Sequence, residues 1–241
     1  LLGSTDLDSY HKVFPELKGK ESPALIFARG VANIAITGSG TINGQGAHQN
    51  FQHGNDSKGG PRRPKIIYFI GCNNVRVQDV TLRNSAYWTQ DYEKCNGVIV
   101  RGVKVYSHAN WNNDGLDIDS RNVVVSDCYI DCDDDALCLK SDTDTPCENV
   151  TVTNCVLKSN CNAIKFGTSS YSGFKNVTIS NCTIDRASED HIRQWYKNYP
   201  WIGTKHKTVV AGIALESVEG VKKQNVSISD IAMQGVQTPI F

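Results

Sequence analysis

Several features that indicate common protein classes are missing from this sequence of 241 residues. Lys plus Arg and Asp plus Glu number 25 each, so no charge excess indicates a nucleic-acid partner. No apolar run approaches the roughly 18 residues that a membrane span requires. The composition therefore predicts neither a nucleic-acid nor a membrane partner.

The nine cysteines include no C-x-x-C pair, which excludes the common zinc-finger spacing. Cys128, Cys155 and Cys182 are instead separated by 27 residues each. That regularity indicates one repeated structural position, and buried free thiols pack as small apolar groups. We therefore predict a ladder of buried thiols. Disulfides remain the alternative among five of the other cysteines, which are Cys72, Cys95, Cys138, Cys147 and Cys161.

A short motif recurs along the chain and alternates apolar with polar residues. Its copies start at Asn33, Asn74, Gly97, Asn122, Asn149, Asn176 and Asn225. Alternation of period two, rich in Val, Ile and Thr, predicts strands. Asn suits the corner before each strand, because it tolerates the left-handed backbone conformation and its amide can bind the next coil.

The spacing of these copies predicts the fold. From position 74 to position 176 they are 23, 25, 27 and 27 residues apart, and no segment of helical period separates them. We predict an all-β protein, a single-stranded right-handed parallel β-helix with roughly 22–27 residues per coil. A β-propeller is the alternative, although its blades need about 40 residues.

We expect residues 1–241 to form one domain. The first and last gaps between copies, 41 and 49 residues, indicate insertions or an extra coil. Insert loops are predicted near residues 45–65 and 187–208, and such insertions cluster on the binding face of stacked repeats. The chain starts at Leu1 without Met and ends just after a repeat, so we expect a processed chain or a fragment lacking terminal coils.

Each insertion has a marked composition. The first ends in the basic run of Arg62, Arg63 and Lys65, which we interpret as a solvated loop. The second holds aromatic and basic residues together between Arg193 and Trp201, typical of a lid or an extended subsite for a ligand.

Two copies of a short strand carry carboxylates where the strand begins. They read N-N-D-G-L-D and, about 20 residues later, D-D-D-A-L. Stacking in register places Asp114, Asp135 and Asn162 in one column, with Asp134 beside them and strands about 4.7–4.9 Å apart. Such crowding raises the pKa of at least one carboxyl, and a protonated acid beside an ionised one suits glycosidic bond cleavage. A calcium site or a solvated edge is the alternative.

These motifs, with I-T-G-S-G-T-I-N-G-Q-G near the start, resemble those of glycoside hydrolase family 28, the polygalacturonase-like pectinases. The resemblance implies inverting hydrolysis of α-linked pectic polysaccharide by aspartates, with no metal and no cofactor. It makes Asp134 the general acid, and Asp114 and Asp135 the residues that position and deprotonate the attacking water. It also implies a secreted or periplasmic enzyme whose partner is pectic polysaccharide, and we expect a monomer.

Two departures from the family pattern bear on the substrate. Asn162 stands where pectin-cutting members have a histidine, and Ala214 and Glu216 stand where they have an Arg–Lys pair for a galacturonate carboxylate. A glutamate repels that carboxylate, so rhamnogalacturonan or another substituted pectic glycan is expected rather than homogalacturonan. Lys165 and Lys140, on the outer face in this register, are the candidate replacement cations.

Further residues are expected to contact the substrate. His108 could orient a water or a sugar hydroxyl, and Trp88 could pack on a sugar ring. Asn113 and Asp117 belong to the first acidic motif, and Asp117 is predicted to point outward.

Two other functions are compatible with the sequence. A calcium-dependent, pectate-lyase-like β-elimination enzyme could use the acidic column, although no obvious Arg lies near it. A non-catalytic, glycan-binding β-helix would explain the two departures, but not the retention of all three aspartates.

Overall fold

The computed structural model describes residues 1–13, 23–51, 63–189 and 209–241. This part of the chain is built almost entirely from parallel strands, with one short α-helix, α1 (Leu7–Val13), and a 3-10 turn at Gln49–Phe51. The strands are β1 (Ala24–Arg29), β2 (Ala32–Thr37), β3 (Thr41–Asn43), β4 (Lys65–Ile70), β5 (Asn73–Gln78), β6 (Thr81–Arg83), β7 (Gln90–Arg101), β8 (Lys104–Ser107), β9 (Leu116–Ser126), β10 (Tyr129–Cys132), β11 (Leu137–Ser141), β12 (Cys147–Thr153), β13 (Val156–Ser159), β14 (Asn162–Ser170), β15 (Phe174–Arg186), β16 (Val209–Leu215), β17 (Lys223–Met233) and β18 (Val236–Ile240).

The strands form three parallel stacks, as the predicted right-handed β-helix requires. The first stack runs β1, β4, β7, β9, β11, β14, β16 and β18. The second runs β2, β5, β7, β9, β12, β15 and β17. The third runs β3, β6, β8, β10, β13 and the ends of β15 and β17. Because β2 pairs directly with β5 and β15 with β17, the long gaps hold insertions and not extra coils.

Alternation along the strands fills the inside of the coils with apolar side chains. Leu116, Ile118, Leu137 and Leu139 are fully buried in this core, as the register predicts. Leu215, at the corresponding position of the last coils, is instead 39% exposed. No described helix is long and apolar enough to cross a membrane.

The predicted cysteine ladder is confirmed. Cys128, Cys155 and Cys182 stack on successive coils of the third stack, and none is more than 2% exposed. All nine cysteines are buried and free, so the alternative of disulfides among the others is wrong.

Amide hydrogen bonds join the corner asparagines from Asn122 to Asn225 in a ladder, and a separate bond joins Asn33 and Asn74 before the glycine corner at Gly97. The backbone φ of Asn149 is 55° and that of Asn176 is 53°, both in the left-handed region. Asn149 Nδ2 donates to Asn122 Oδ1 at 3.0 Å, and Asn176 Nδ2 donates to Asn149 Oδ1 at 3.0 Å. The same contact joins Asn225 to Asn176 and Asn74 to Asn33. Asn therefore recurs because one side chain satisfies both the turn and its neighbours.

We expect Asn149→Ala to lower the free energy of unfolding by about 1–2 kcal/mol, because alanine is strained at this positive φ and the amide ladder is interrupted. Chemical denaturation measures the loss. Asn149→Gly is the matched control, since glycine loses the amide but accepts the backbone conformation. Equal losses for the two variants would contradict a role for the left-handed φ.

Candidate active site

The predicted carboxylate column is confirmed by the strand register. Gly115 N donates to Asp135 O at 2.8 Å, and Ala136 N donates to Asn162 O at 2.9 Å, so the acidic corners lie on neighbouring coils. A Cβ on Gly115 would lie 2.3 Å from Ile130 Cγ2, so only glycine permits this approach. The glycine of the N-N-D-G-L-D motif therefore has a packing reason.

The three predicted catalytic aspartates lie on neighbouring coils and are buried. Asp114, Asp134 and Asp135 are 4%, 5% and 3% exposed. Asn113 joins the two corners, because its Oδ1 accepts the backbone N–H of Asp134 at 3.1 Å. The Oδ1 of Asp134 in turn accepts the N–H of Asp135 at 3.0 Å, which fixes the Asp134 carboxyl.

Asp135 is held as a carboxylate by its neighbours. Lys165 Nζ lies 3.0 Å from its Oδ2, and its Oδ1 accepts hydrogen bonds from Asn162 Nδ2 at 2.7 Å and Asn162 N at 3.2 Å. Burial alone would raise the pKa of Asp135, but Lys165 and Lys140, together with Asn162, hold it below the usual value. Both Asn162 and Lys165 thus contact the candidate catalytic group. Lys165 Nζ is also 4.0 Å from Glu216 Oε1.

Asp117, Lys140 and Asp119 lie on the outer face of the sheet, as the register predicts, but they are buried and not solvent-facing. Asp117 is 0% exposed and pairs with Lys140 at 3.2 Å. Burial raises the pKa of Asp117 well above its usual range, although Lys140 opposes this, and Asp114 adds to it. Burial also raises the pKa of Asp119 to about 8, although its carboxylate accepts the N–H of Asp142 at 2.9 Å. Segments between the coils cover this face.

An aromatic wall covers the Asp117–Lys140 pair. The rings of Tyr87 and Trp88 stack with their centroids 5.2 Å apart and their planes at 12°. Lys140 Nζ lies 4.3 Å from the centroid of Trp88, and Lys65 Nζ lies 4.5 Å from it. Trp88 is therefore at the site, as predicted, and Lys140 supports the ring from beneath.

The interpretation of the basic run as a solvated loop is wrong for Arg63 and Lys65, which are 1% and 4% exposed. Lys65 pairs with Asp91 at 2.5 Å. Arg63 donates to the carbonyl of Ala86 at 2.8 Å and also to that of Trp111. Arg62 lies outside the described residues, as do Arg193 and Trp201 of the second insertion.

Arg63 therefore connects the aromatic wall to the turn that precedes Asp114. Its guanidinium packs 4.9 Å from the Tyr87 centroid on one side and donates to Asn112 Oδ1 at 3.0 Å on the other. The turn at Asn112 leads directly into Asp114. Sequence composition missed this residue, because its partners are 23 to 49 positions away.

We expect Arg63→Gln to lower the free energy of unfolding by about 2–3 kcal/mol, because buried carbonyls lose a charged donor. Arg63→Lys should recover only part of this, since an ammonium lacks the planar fork of donors. Thermal and chemical denaturation provide the measurement, and the exposed Arg76→Gln is the matched control. A loss of unfolding free energy no larger than that of Arg76→Gln would contradict the stabilising role of the Arg63 hydrogen bonds.

His108 lies beside the acidic corner and is held by a carboxylate. Its Nε2 is 3.0 Å from Asp131 Oδ1, and the same carboxylate accepts the N–H of Ser188 at 3.0 Å. Although burial would raise the pKa of Asp131, the bonds to His108 and Ser188 hold it below the usual value. Asp131 was missed in the sequence; it lies on the next coil, 23 residues after His108, in register with Tyr106.

Two groups of side chains have ligand atoms within 4.8 Å of one another and could hold a metal ion. One is Asp114, Asp117 and Cys138, and the other is Asp134, Asp135 and Cys161. Each already has an ammonium against a carboxylate, Lys140 in the first group and Lys165 in the second. A buried ammonium of the protein therefore compensates one carboxylate in each group, Asp117 in the first and Asp135 in the second.

The structure is thus a right-handed parallel β-helix with a cluster of buried carboxyl groups just before strands β9 and β11. The family model of the glycosyl hydrolases family 28 matches residues 12–241. The chain belongs to this family.

Known proteins that resemble the chain agree with this assignment. A probable polygalacturonase of Arabidopsis thaliana is 32% identical over 128 residues, covering 52% of this chain and 26% of the relative. A probable polygalacturonase of Vitis vinifera is 31% identical over 157 residues, covering 60% and 31%. The matches thus span less than a third of either relative. An exopolygalacturonase structure from Thermotoga maritima shares the fold, with a TM-score of 0.67 at 20% identity over 100% of this chain and 74% of that one.

Proposed function

We propose that this chain carries the catalytic site of an inverting glycoside hydrolase that cleaves α-glycosidic bonds in pectic polysaccharide. The observation that carries the proposal is the cluster of Asp114, Asp134 and Asp135 on neighbouring coils. Within it, Asp135 pairs with Lys165 and accepts a hydrogen bond from Asn162. Family membership and the polygalacturonase relatives support the reaction class and the pectic substrate.

In this proposal the aspartates divide the acid and base roles. Asp134 gives its proton to the glycosidic oxygen as the bond to the anomeric carbon breaks. A water on the opposite face attacks that carbon, and Asp135, with Asp114, positions it and removes its proton. An ionised Asp135 suits the base role, because a carboxylate paired with Lys165 at 3.0 Å accepts no proton before the reaction. Asp134 is oriented by Asn113 and by the backbone of Asp135.

The charges around Lys165 favour a substrate other than plain homogalacturonan. Its ammonium lies between Asp135, at 3.0 Å, and Glu216, at 4.0 Å. A galacturonate carboxylate approaching Lys165 would meet Glu216 as a like charge. We therefore propose that the subsite next to Lys165 takes a neutral sugar, as in rhamnogalacturonan, with galacturonate at other subsites.

Product analysis tests the reaction class. The chain is incubated with rhamnogalacturonan, homogalacturonan and xylogalacturonan, each with and without EDTA, and the products are followed by chromatography and proton NMR. Saturated products with the inverted anomer, formed equally with EDTA and fastest from rhamnogalacturonan, are expected. Unsaturated products that disappear with EDTA would replace the hydrolase by a calcium-dependent lyase. Binding without any product would leave a glycan-binding β-helix.

A further inference from the structure

A second strip of aromatic and basic side chains lies on the outer face of the third stack, away from the carboxylates. The strand register there defines two outward columns. The first column is Arg83, Tyr106, Asp131, Lys158 and Asp185. The second is Thr81, Lys104, Tyr129, Val156 and Thr183.

The aromatic and basic members of the strip are in contact. The guanidinium of Arg83 lies 5.0 Å from the centroid of Tyr106. The rings of Tyr106 and Tyr129 are half-buried, with centroids 5.5 Å apart and planes at 36°. Lys158 lies close to Tyr129, where its charge opposes the rise that burial causes in the pKa of the Tyr129 hydroxyl. A cavity of about 370 Å³ lies next to them, and its lining includes Tyr129, Lys158 and Met233.

The strip is positive although the whole chain has no net charge. Arg83 and Lys104 are exposed and Lys158 is half-buried. Asp131 is 1% exposed, so the acid of the first column does not face solvent, and its carboxylate binds His108. Asp185, the other acid of the two columns, is half-buried. Its Oδ1 accepts the N–H of Arg186 at 2.7 Å.

We propose that Arg83, Lys104, Tyr106, Tyr129 and Lys158 form an accessory binding surface for acidic pectic polysaccharide, outside the catalytic cluster. The C–H faces of sugar rings pack on the tyrosines, and uronate carboxylates pair with the cations. The inference rests on the proposed pectic substrate of this chain.

The position of the strip favours a glycan over another anionic polymer. Strand β10, which carries Tyr129, runs directly into Asp133 and the catalytic corner, so the tyrosine lies within about 17 Å of Asp134 along an extended chain. Asp131, beside Tyr106 in its column, binds the candidate site residue His108. One polysaccharide strand could therefore occupy both surfaces, which would hold the polymer at the site between cleavage events.

The strip is tested by direct binding of polygalacturonate, with Asp134→Asn present throughout so that the polymer stays intact. Replacing Tyr106 and Tyr129 together by Ala is expected to weaken binding about tenfold or more, which corresponds to about 1.4 kcal/mol. The double replacement by Leu keeps the apolar bulk that protects the sheet, and it should weaken binding as well. Tyr171→Ala is the matched control, since this tyrosine is 63% exposed and lies outside the strip.

Separate measurements test the role of the cations and the chemical class of the polymer. Lys104→Gln with Lys158→Gln should weaken binding of polygalacturonate and flatten its salt dependence, while binding of neutral galactan stays weak in all variants. Equal affinity of the tyrosine variants and the parent would overturn the proposal, as would an equal loss for Tyr171→Ala. Tighter strip-dependent binding of single-stranded polynucleotide than of polygalacturonate would overturn the glycan assignment.

Hydrolysis of short pectic oligosaccharides separates this inference from the proposed function. Variants that carry the tyrosine replacements but keep Asp134 should cut short oligosaccharides at the parent rate and polymer more slowly. If the parent cuts oligosaccharides and the tyrosine variants still bind polymer normally, only the accessory surface fails. If nothing is cut but binding depends on the tyrosines, only the proposed function fails.

Discussion

Replacing Asp134 by Asn is expected to lower kcat by about 10²–10⁴-fold, the contribution of a general acid. The asparagine side chain has the same shape, and its Oδ1 can still accept the N–H of Asp135, which the structure places at 3.0 Å. It has no acidic proton for the departing glycosidic oxygen, however. Steady-state kinetics on the polysaccharide preferred in product analysis measures the loss, which should fall on kcat more than on KM.

Two controls separate chemistry from folding in this experiment. Asp230→Asn is the matched variant, because Asp230 is exposed at a turn of the last coils with a φ of 54°, a conformation that asparagine accepts. Its activity should equal that of the parent, and both variants should keep the parent melting temperature. Aryl glycosides, whose leaving group departs without a proton, should be spared by Asp134→Asn. Unchanged turnover of polysaccharide by Asp134→Asn would remove Asp134 from the acid role.

Asp114→Asn together with Asp134→Asn should cost little more than Asp134→Asn alone, because residues that act in one step are not additive. Losses that multiply would indicate that the two carboxyls serve separate steps.

The coil period made the fold and most pairings of the site predictable. Corner asparagines and alternating strands repeat with a spacing that matches the observed offsets between paired strands, for example 27 residues from Val150 to Val177. One contact of the site follows the same period. Asn162 lies 27 residues after Asp135, which is the offset between their strands. Asp131 lies 23 residues after His108, where the strand offset is 25, so the period alone does not identify this pair.

The coil period could not predict that irregular segments bury part of the outer face of the sheet. Asp117 and Lys140 were placed on the correct side of the sheet, but their burial depends on Tyr87 and Trp88, which belong to an irregular turn. Arg63 presents the same difficulty, because its partners come from two different turns and share no repeat position. Contacts between irregular segments are set by the assembled fold, so local composition favoured a solvated loop.

Lys165→Met is expected to have the second large effect, on stability and on the pH profile together. The substitution removes the cation 3.0 Å from Asp135 while leaving a carboxyl that is 3% exposed. Breaking a buried ion pair by removing one partner costs about 3–5 kcal/mol at neutral pH, because the remaining charge is uncompensated. Asn162, which still donates to Asp135, should keep the loss near the lower end. Chemical denaturation between pH 3 and pH 8 measures it.

The sign of the pH dependence follows from the lowered pKa of Asp135 in the folded chain. A lowered pKa stabilises the fold above the unfolded pKa of about 3.9, and this stabilisation is lost as the pH falls through the folded value. Without Lys165, only Lys140 and Asn162 oppose the effect of burial, so the pKa of Asp135 should rise. The difference in unfolding free energy between parent and variant should therefore be largest at neutral pH and shrink toward pH 3.

The same change should appear in catalysis, since the base must be ionised before water attacks. The acidic limb of kcat/KM should move to higher pH in Lys165→Met, while Lys94→Met, which removes only an exposed ion pair with Asp144, should leave both profiles unchanged. An acidic limb that stays in place would mean that Asp135 is not the base, or that Asn162 and Lys140 keep it ionised. Asn162→Ala decides between these, because under the second explanation it would shift the limb that Lys165→Met leaves unmoved.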